Sequence, residues 1–195
     1  YEAVKSLGKA IGKDEITLED IQNFQSDDQM LARSATIVAS LMAEGNSFDS
    51  IITDLEGAYE YYYNQFNYYY NPEFESRPVV GDNYADKTER YYGNADVKGP
   101  DADHGTHVAG IIGAARHNDV GIDGVANNVR IMALRVVPDG DERDKDVANA
   151  IIYAVDNGAK VINMSFGKGY SPFKEVVDKA VKYARRKDVL LVHAA

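Results

Sequence analysis

Only four histidines and no cysteine stand in the 195 residues, so acid–base and nucleophilic chemistry has few places to reside. Two of the histidines lie three apart in Asp103-His104-Gly105-Thr106-His107-Val108-Ala109-Gly110, which runs into a helix expected over Ile111–Arg116. A histidine in the opening turn of a helix faces the positive end of the dipole, which disfavours imidazolium. That suits a neutral general base, provided a carboxylate elsewhere stabilises the cation formed during reaction. Gly105 and Gly110 let neighbouring backbone approach closely. A second place is Asn163-Met164-Ser165-Phe166-Gly167, where an apolar strand opens into a glycine-containing loop.

Two other chemistries fit these residues less well. His104 and His107 share a helix face and could ligate a metal with Asp101 or Asp103. However, Gly-Thr between them lacks the glutamate of H-E-x-x-H, and no third ligand stands at a telling spacing. Ser165 lacks the strained strand-to-helix elbow that presents a nucleophile. Asp103, adjacent to His104 in sequence, is poorly placed to orient it.

The elements that must position these groups alternate. Val129–Val137 is a β-rich run closed by Pro138-Asp-Gly140. Val147, Ala148, Ile151, Ile152 and Val155 form one helical face, with Asp144 or Asp146 near its start and Asn157-Gly158 at its end. Val161–Met164 is a short apolar strand. Ser171-Pro172 offers a cap and an N-terminal proline to a helix with the stripe Val176, Val177, Ala180, Val181, Ala184. Val189–Ala195 is the last strand. Apolar, non-alternating strands separated by helices imply parallel pairing with right-handed crossovers. The fold class is α/β, and in such sheets chemistry collects at the carboxy ends of strands.

The first part of the chain differs. Residues 1–78 carry 14 acidic and 5 basic side chains, against 17 and 16 in residues 79–195, which argues for two segments with different jobs. Residues 17–70 read as helix. Thr17 is an N-cap with acids after it, Ser26-Asp-Asp-Gln29 matches a capping box, and Gly45 is placed to end the helix beyond it. A second stripe, from Phe48 through Ile51, Ile52, Leu55, Tyr59, Tyr62, Phe66 and Tyr69, stops at Asn71-Pro72. Seven of the 14 tyrosines fall between Tyr59 and Tyr70. The spacing favours burial of Tyr62, Phe66 and Tyr69 over an aromatic platform for a glycan or peptide.

Composition sets bounds. Apolar residues make up 45% and charged residues 27%, ordinary globular values. No apolar run reaches the roughly 18 residues of a membrane span. A net charge of -10 opposes binding to a phosphate backbone, so no nucleic-acid partner is expected. The absence of cysteine removes disulfides, thiolate zinc sites and cysteine nucleophiles. The chain opens on Tyr1 without a signal pattern and closes in an apolar run. It is expected to be an internal piece of a longer polypeptide.

His104-Gly-Thr-His-Val-Ala-Gly110 resembles the histidine signature of the subtilases, the subtilisin-like serine peptidases. Gly124-Val-Ala126, Ile131-Met-Ala-Leu-Arg-Val136 and Val161-Ile-Asn-Met-Ser-Phe-Gly167 resemble further family segments in the expected order. The likeness covers about residues 101–195. Residues 1–78 then look like an acidic, Tyr-rich helical insertion, and residues 79–195 like the first, incomplete part of a catalytic domain with a partial parallel sheet and flanking helices.

The resemblance implies that His104 is the base that takes the serine proton and returns it to the leaving amine, and that His107 holds a structural position. It implies that Ser165, Phe166 and Gly167 pair their backbone with an extended polypeptide substrate. Ala194 and Ala195 form a wall of the pocket for the side chain preceding the scissile bond. No cofactor is required for such chemistry. The loop Arg116–Gly124 resembles one that wraps a structural calcium, with Asn118, Asp119 and Asp123 as oxygens; a glycine-turned surface loop is the other reading. The carboxylates of Asp139–Asp144 have two readings, a solvated turn, which is favoured, and a bias of the distal non-primed subsites towards basic side chains.

The family's chain order is Asp, His, Ser, yet no Asp-Ser-Gly or Asp-Thr-Gly precedes His104 and no Gly-Thr-Ser follows it. The chain by itself is therefore expected to be inactive. The missing parts of the same polypeptide would complete sheet and triad, and the location would be extracytoplasmic. A peptide-binding or scaffolding pseudopeptidase is the alternative.

Overall fold

A computed structural model describes residues 1–99 and 101–194. The chain divides into two compact units, Tyr1–Asn71 and Pro72–Ala195.

The first unit is helical: α1 (Glu2–Ile11), α2 (Leu18–Gln22), α3 (Gln29–Ala43) and α4 (Phe48–Asn64), the last running on into a π-helical turn, Gln65–Tyr69. Each start after the first is set by a side chain that satisfies otherwise unpaired N–H groups. Thr17 and Asp20 form a capping box at α2, Asp28 accepts from the N–H of Met30 and Leu31 at α3, and Ser47 accepts from that of Ser50 at α4. The cap expected from Ser26 falls to Asp28, because Ser26 Oγ instead accepts from the Asp28 N–H at 3.1 Å. Helix α1 was not expected, although Val4, Leu7 and Ile11 are spaced i, i+3, i+7.

Val4, Leu7, Ile21, Ala35, Val38, Phe48 and Ile51 make the core of this unit, and Ile52 and Leu55 are the last residues of α4 packed against it. The expected burial of Tyr62, Phe66 and Tyr69 is overturned, since all three are exposed. The reason is coverage. Helices α1 and α2 close on α3, so the core reaches only the first half of α4.

The second unit contains α5 (Arg77–Val80), α6 (Asp103–Gly113), α7 (Asp144–Asp156), β1 (Val161–Met164), α8 (Lys174–Arg186) and β2 (Leu190–His193). Strands β1 and β2 pair in parallel from Val161↔Leu190 to Met164↔His193, with α8 as their crossover. Val147, Ala148, Ile151 and Val155 of α7 meet Ala180 and Ala184 of α8, with Met164 and Val189, in one core. A helical chain with a small parallel sheet is compatible with a partial α/β fold.

Two expected boundaries move and one expected strand is not formed. Helix α6 ends at Gly113 rather than Arg116, because the N–H groups of Gly124, Val125 and Ala126 donate to the carbonyls of Ala114, Ile111 and Ile112. Gly124 suits this return, since a Cβ there would collide with the backbone of Gly113 and Ala114. The strand expected over Val129–Val137 does not form. Among the described residues its backbone joins no ladder, and Val129, Ile131, Met132 and Val137 are exposed; apolar β-formers make a strand only where a partner strand completes the hydrogen bonds. Helix α8 starts at Lys174, two residues beyond the expected proline.

A charged knot fastens residues 77–92 to α7. The Arg77 guanidinium donates to both oxygens of Asp146 at 2.9 Å and, through Nε, to Asp82 at 2.6 Å. Lys145 Nζ donates to Asp82, to Glu89 and to the carbonyl of Asn83 at 2.7–2.8 Å, and its side chain is 1% exposed. The Tyr92 hydroxyl donates to Asp146 at 2.6 Å and accepts from Asn149. The Arg77 hydrogen bond, outweighing burial, holds the Asp82 carboxyl below its ordinary range. Burial lowers the Lys145 ammonium, but the bonds to Asp82 and Glu89 overcome it and leave its pKa raised. Each charge therefore has the paired, hydrogen-bonded partner that burial demands.

Candidate active site

The carboxy ends of β1 and β2 bring most of the expected substrate-binding residues together. The Ala194 N–H donates to the Met164 carbonyl at 3.1 Å, extending the strand pairing to the point where Ser165 begins. Ser165 is half-buried and its Oγ accepts from Asn163 Nδ2 at 2.9 Å. The Phe166 ring meets the edge of His193 with centroids 6.4 Å apart. A Cβ on Gly167 would come within 3.9 Å of the same imidazole. Ala195 lies outside the described residues.

The segment leaving Gly167 is held by a group that sequence reasoning assigned to a helix start. Asp144, in the first turn of α7, is buried. Its carboxylate accepts from Ser171 Oγ at 2.8 Å and from the Phe173 N–H at 2.7 Å, and pairs with Lys168 at 2.8 Å. Lys168 also donates to the Glu142 carbonyl at 2.6 Å. Burial pushes the Asp144 carboxyl up, yet Lys168, Phe173 and Ser171 outweigh it and leave its pKa lowered. The cap expected from Ser171-Pro172 does not form: α8 has no side-chain cap, and Ser171 donates to Asp144 instead. Buried Asp144 and Glu142 do not face solvent, so these two carboxylates of Asp139–Asp144 are not presented to a substrate. The clue available in the sequence was chemical only: an acid, a lysine and a serine at the loop ends with no local partners.

His104 sits in the first turn of α6, exposed, as does His107 one turn on. Helix α6 buries no residue. Among the described residues no hydrogen bond, ion pair or ring contact joins His104 to the β1–β2 end. His107 is likewise exposed and, among the described residues, shows no hydrogen bond, ion pair or ring contact. The first turn carries Asp103, whose N–H donates to Asp101 Oδ1 at 2.8 Å.

The loop after α6 closes on itself. The His117 N–H donates to Asp123 Oδ1 at 3.0 Å, and Arg116 and the His117 ring approach Asp123 Oδ2 at 3.9 and 3.7 Å. Asn118 Oδ1 accepts from the Val120 N–H at 3.1 Å, while Asp119 is exposed with φ 57°. Two of the three oxygens are thus turned to the loop's own donors, and among the described residues no three His, Cys, Asp or Glu side chains gather as a metal site. No step of the chemistry is routed through a metal in this loop.

The family model of the subtilases, "Subtilase family", matches residues 53–195, well over half of the chain. The chain belongs to the subtilase family. It is 38% identical over 128 residues to the thermophilic serine proteinase of Bacillus sp. (strain AK1), covering 65% of this chain and 30% of that protein. It is 43% identical over 93 residues to thermitase of Thermoactinomyces vulgaris, covering 47% and 33%. It is 38% identical over 96 residues to the minor extracellular protease Epr of Bacillus subtilis, covering 49% and 14%. The chain thus spans a third or less of the length of these relatives. No solved structure matches it. No helix among the described residues is long and apolar enough to cross a membrane.

Proposed function

We propose that this chain is part of a subtilisin-like serine endopeptidase and contributes the base and one substrate-binding edge of the catalytic domain. Membership of the subtilase family carries the reading. Supporting it are the position of His104 at a helix start and the gathering of Ser165, Phe166, Gly167 and Ala194 at the carboxy ends of two parallel strands. In this reading His104 takes the proton of a serine hydroxyl supplied by another part of the polypeptide and returns it to the leaving amine. The backbone of residues 165–167 receives the extended substrate as an added strand. Residues 1–78 are an acidic helical insertion ahead of the first, incomplete part of the catalytic domain, residues 79–195. The chemistry needs no cofactor. Location outside the cytoplasm is supported by the name of the extracellular Bacillus subtilis relative.

The test is hydrolysis. The full-length protein should release new amino termini from casein, and a serine-directed sulfonyl fluoride should stop it. Replacing Ser165 by alanine should leave sulfonylation by that reagent, with loss of fluoride, intact, because Ser165 is not the nucleophile. Casein binding without cleavage would overturn the reading in favour of a scaffolding pseudopeptidase.

Asp144 provides a second check. It touches no substrate, so its role is to position the loop leaving the 165–167 edge. Asp144→Ala in the full-length enzyme should raise KM for an extended peptide about tenfold or more while changing kcat less, because ground-state and transition-state contacts to the edge weaken together. A fall in kcat at constant KM would contradict this role.

A further inference from the structure

We infer that the tyrosine-rich second half of α4 is a docking surface for an arginine-rich, extended segment of a partner polypeptide. The inference does not rest on the proposed peptidase activity. Tyr62 and Phe66 are 70% and 78% exposed, and Tyr61 is 60% exposed. Together with Tyr1, Leu55, Tyr59, Tyr63 and Phe66, Tyr62 lines an open groove of about 410 Å³. A soluble protein rarely leaves so many contiguous rings in water without a partner.

Charge selects the partner. From Ser34 to Asn71 the sequence has Glu44, Asp49, Asp54, Glu56 and Glu60 and no lysine, arginine or histidine. Glu56 and Glu60 stand four apart on α4, which places an acidic edge beside the ring stripe Tyr59, Tyr62, Tyr63, Phe66. A ring face with adjacent carboxylates is a receptor for a cation, and a guanidinium can stack on the ring while its N–H fork reaches the carboxylate. At the edge of the groove a cation meets one of these rings through its hydroxyl, Lys5 Nζ donating to the Tyr1 hydroxyl oxygen at 3.0 Å. Lys5 Nζ lies 5.0 Å from the centre of the Tyr1 ring, and the Tyr1 hydroxyl donates to Glu56 at 2.6 Å, with Tyr59 stacked on Tyr1 at 5.3 Å. Residues one turn apart on a helix are ~5–6 Å apart, close to the ~7 Å between alternate side chains of an extended strand. Arginines at alternate positions therefore match successive ring–carboxylate pairs.

The experiment uses the full-length protein carrying His104→Ala, so that peptides are not cleaved, and isothermal titration with four probes: RARARA, KAKAKA and EAEAEA peptides, each blocked at both ends, and cellohexaose. RARARA should bind about tenfold or more tightly than KAKAKA, and EAEAEA and cellohexaose should not bind measurably. Adding Tyr62→Ser with Phe66→Ser changes no charge and removes only exposed rings. It should weaken RARARA binding about tenfold with an unchanged circular dichroism spectrum, whereas Tyr62→Phe alone should retain binding. Equal RARARA affinity in the double variant would reduce the effect to general charge attraction and overturn the proposal. So would a preference for cellohexaose, which would mark a glycan platform, or absence of RARARA binding in a protein that sediments as a dimer through this face.

Discussion

Full-length protein in which His104 is replaced by alanine is expected to lose peptide hydrolysis by about a million-fold, the scale known for removing the same base from subtilisin, a member of this family. The expectation rests on chemistry that no neighbour can supply. A serine hydroxyl is a weak nucleophile until a base accepts its proton, and the remaining described histidines are exposed His107, loop-bound His117 and His193, which meets Phe166 edge to face. The same substitution should leave folding almost untouched. His104 is exposed and alanine favours helix, so the stability should change no more than with other surface substitutions, about 0.5 kcal/mol. A large loss of rate with unchanged melting separates a catalytic residue from a structural one. Undiminished hydrolysis of casein by the variant would remove the basis of the proposed mechanism.

The second large effect is on stability. Lys145→Met should destabilise the chain by about 3 kcal/mol, because truncating one partner of a buried ion pair strands the others. Asp82 would keep Arg77, Glu89 the Asn83 N–H and the Asn83 carbonyl the Asp86 N–H, but both carboxylates would lose the buried ammonium that neutralises them. For a chain of this size the melting temperature should fall by roughly 6–12 °C. The pH dependence has two limbs of opposite sign. The folded-state pKa of Asp82 is depressed, so its contribution is complete above the unfolded value near ~3.9 and is lost as pH falls through the lower folded value. The folded-state pKa of Lys145 is raised, so its contribution is complete below about 10.4 and is lost as pH rises through the higher folded value. Stability should therefore hold level between the two limbs. The variant should lie lower on that plateau and lack the alkaline fall that Lys145 causes. Thermal melts from pH 2 to 12 would show this, and equal plateaus would refute it.

Local patterns in the sequence were legible wherever a residue's role is decided by its neighbours in the chain. Thr17 caps α2, Val147 to Val155 form the buried face of α7, and Val161–Met164 forms β1 as spacing required. Patterns failed where the outcome depends on distant coverage. Tyr62 and Phe66 have helical spacing, but spacing states only that residues share a face, not that another element lies against it. Val129–Val137 has strand composition and no strand beside it. The site divides in the same way. His104 and Ser165–Gly167 were found from contiguous motifs, whereas Asp144, Lys168 and Ser171 act through a contact across the fold that no short window contains.

Helix α6 has a consequence of its own. It carries Gly105, Gly110 and Gly113 among its eleven residues and buries none of them, and each glycine costs a helix interior about 1 kcal/mol relative to alanine. What secures it is the return of residues 124–126 onto its final carbonyls, a brace at the end opposite His104. The imidazole thus stands at the less anchored end of this helix, and an element with so little buried surface opens at lower free-energy cost than a packed pair such as α7 and α8.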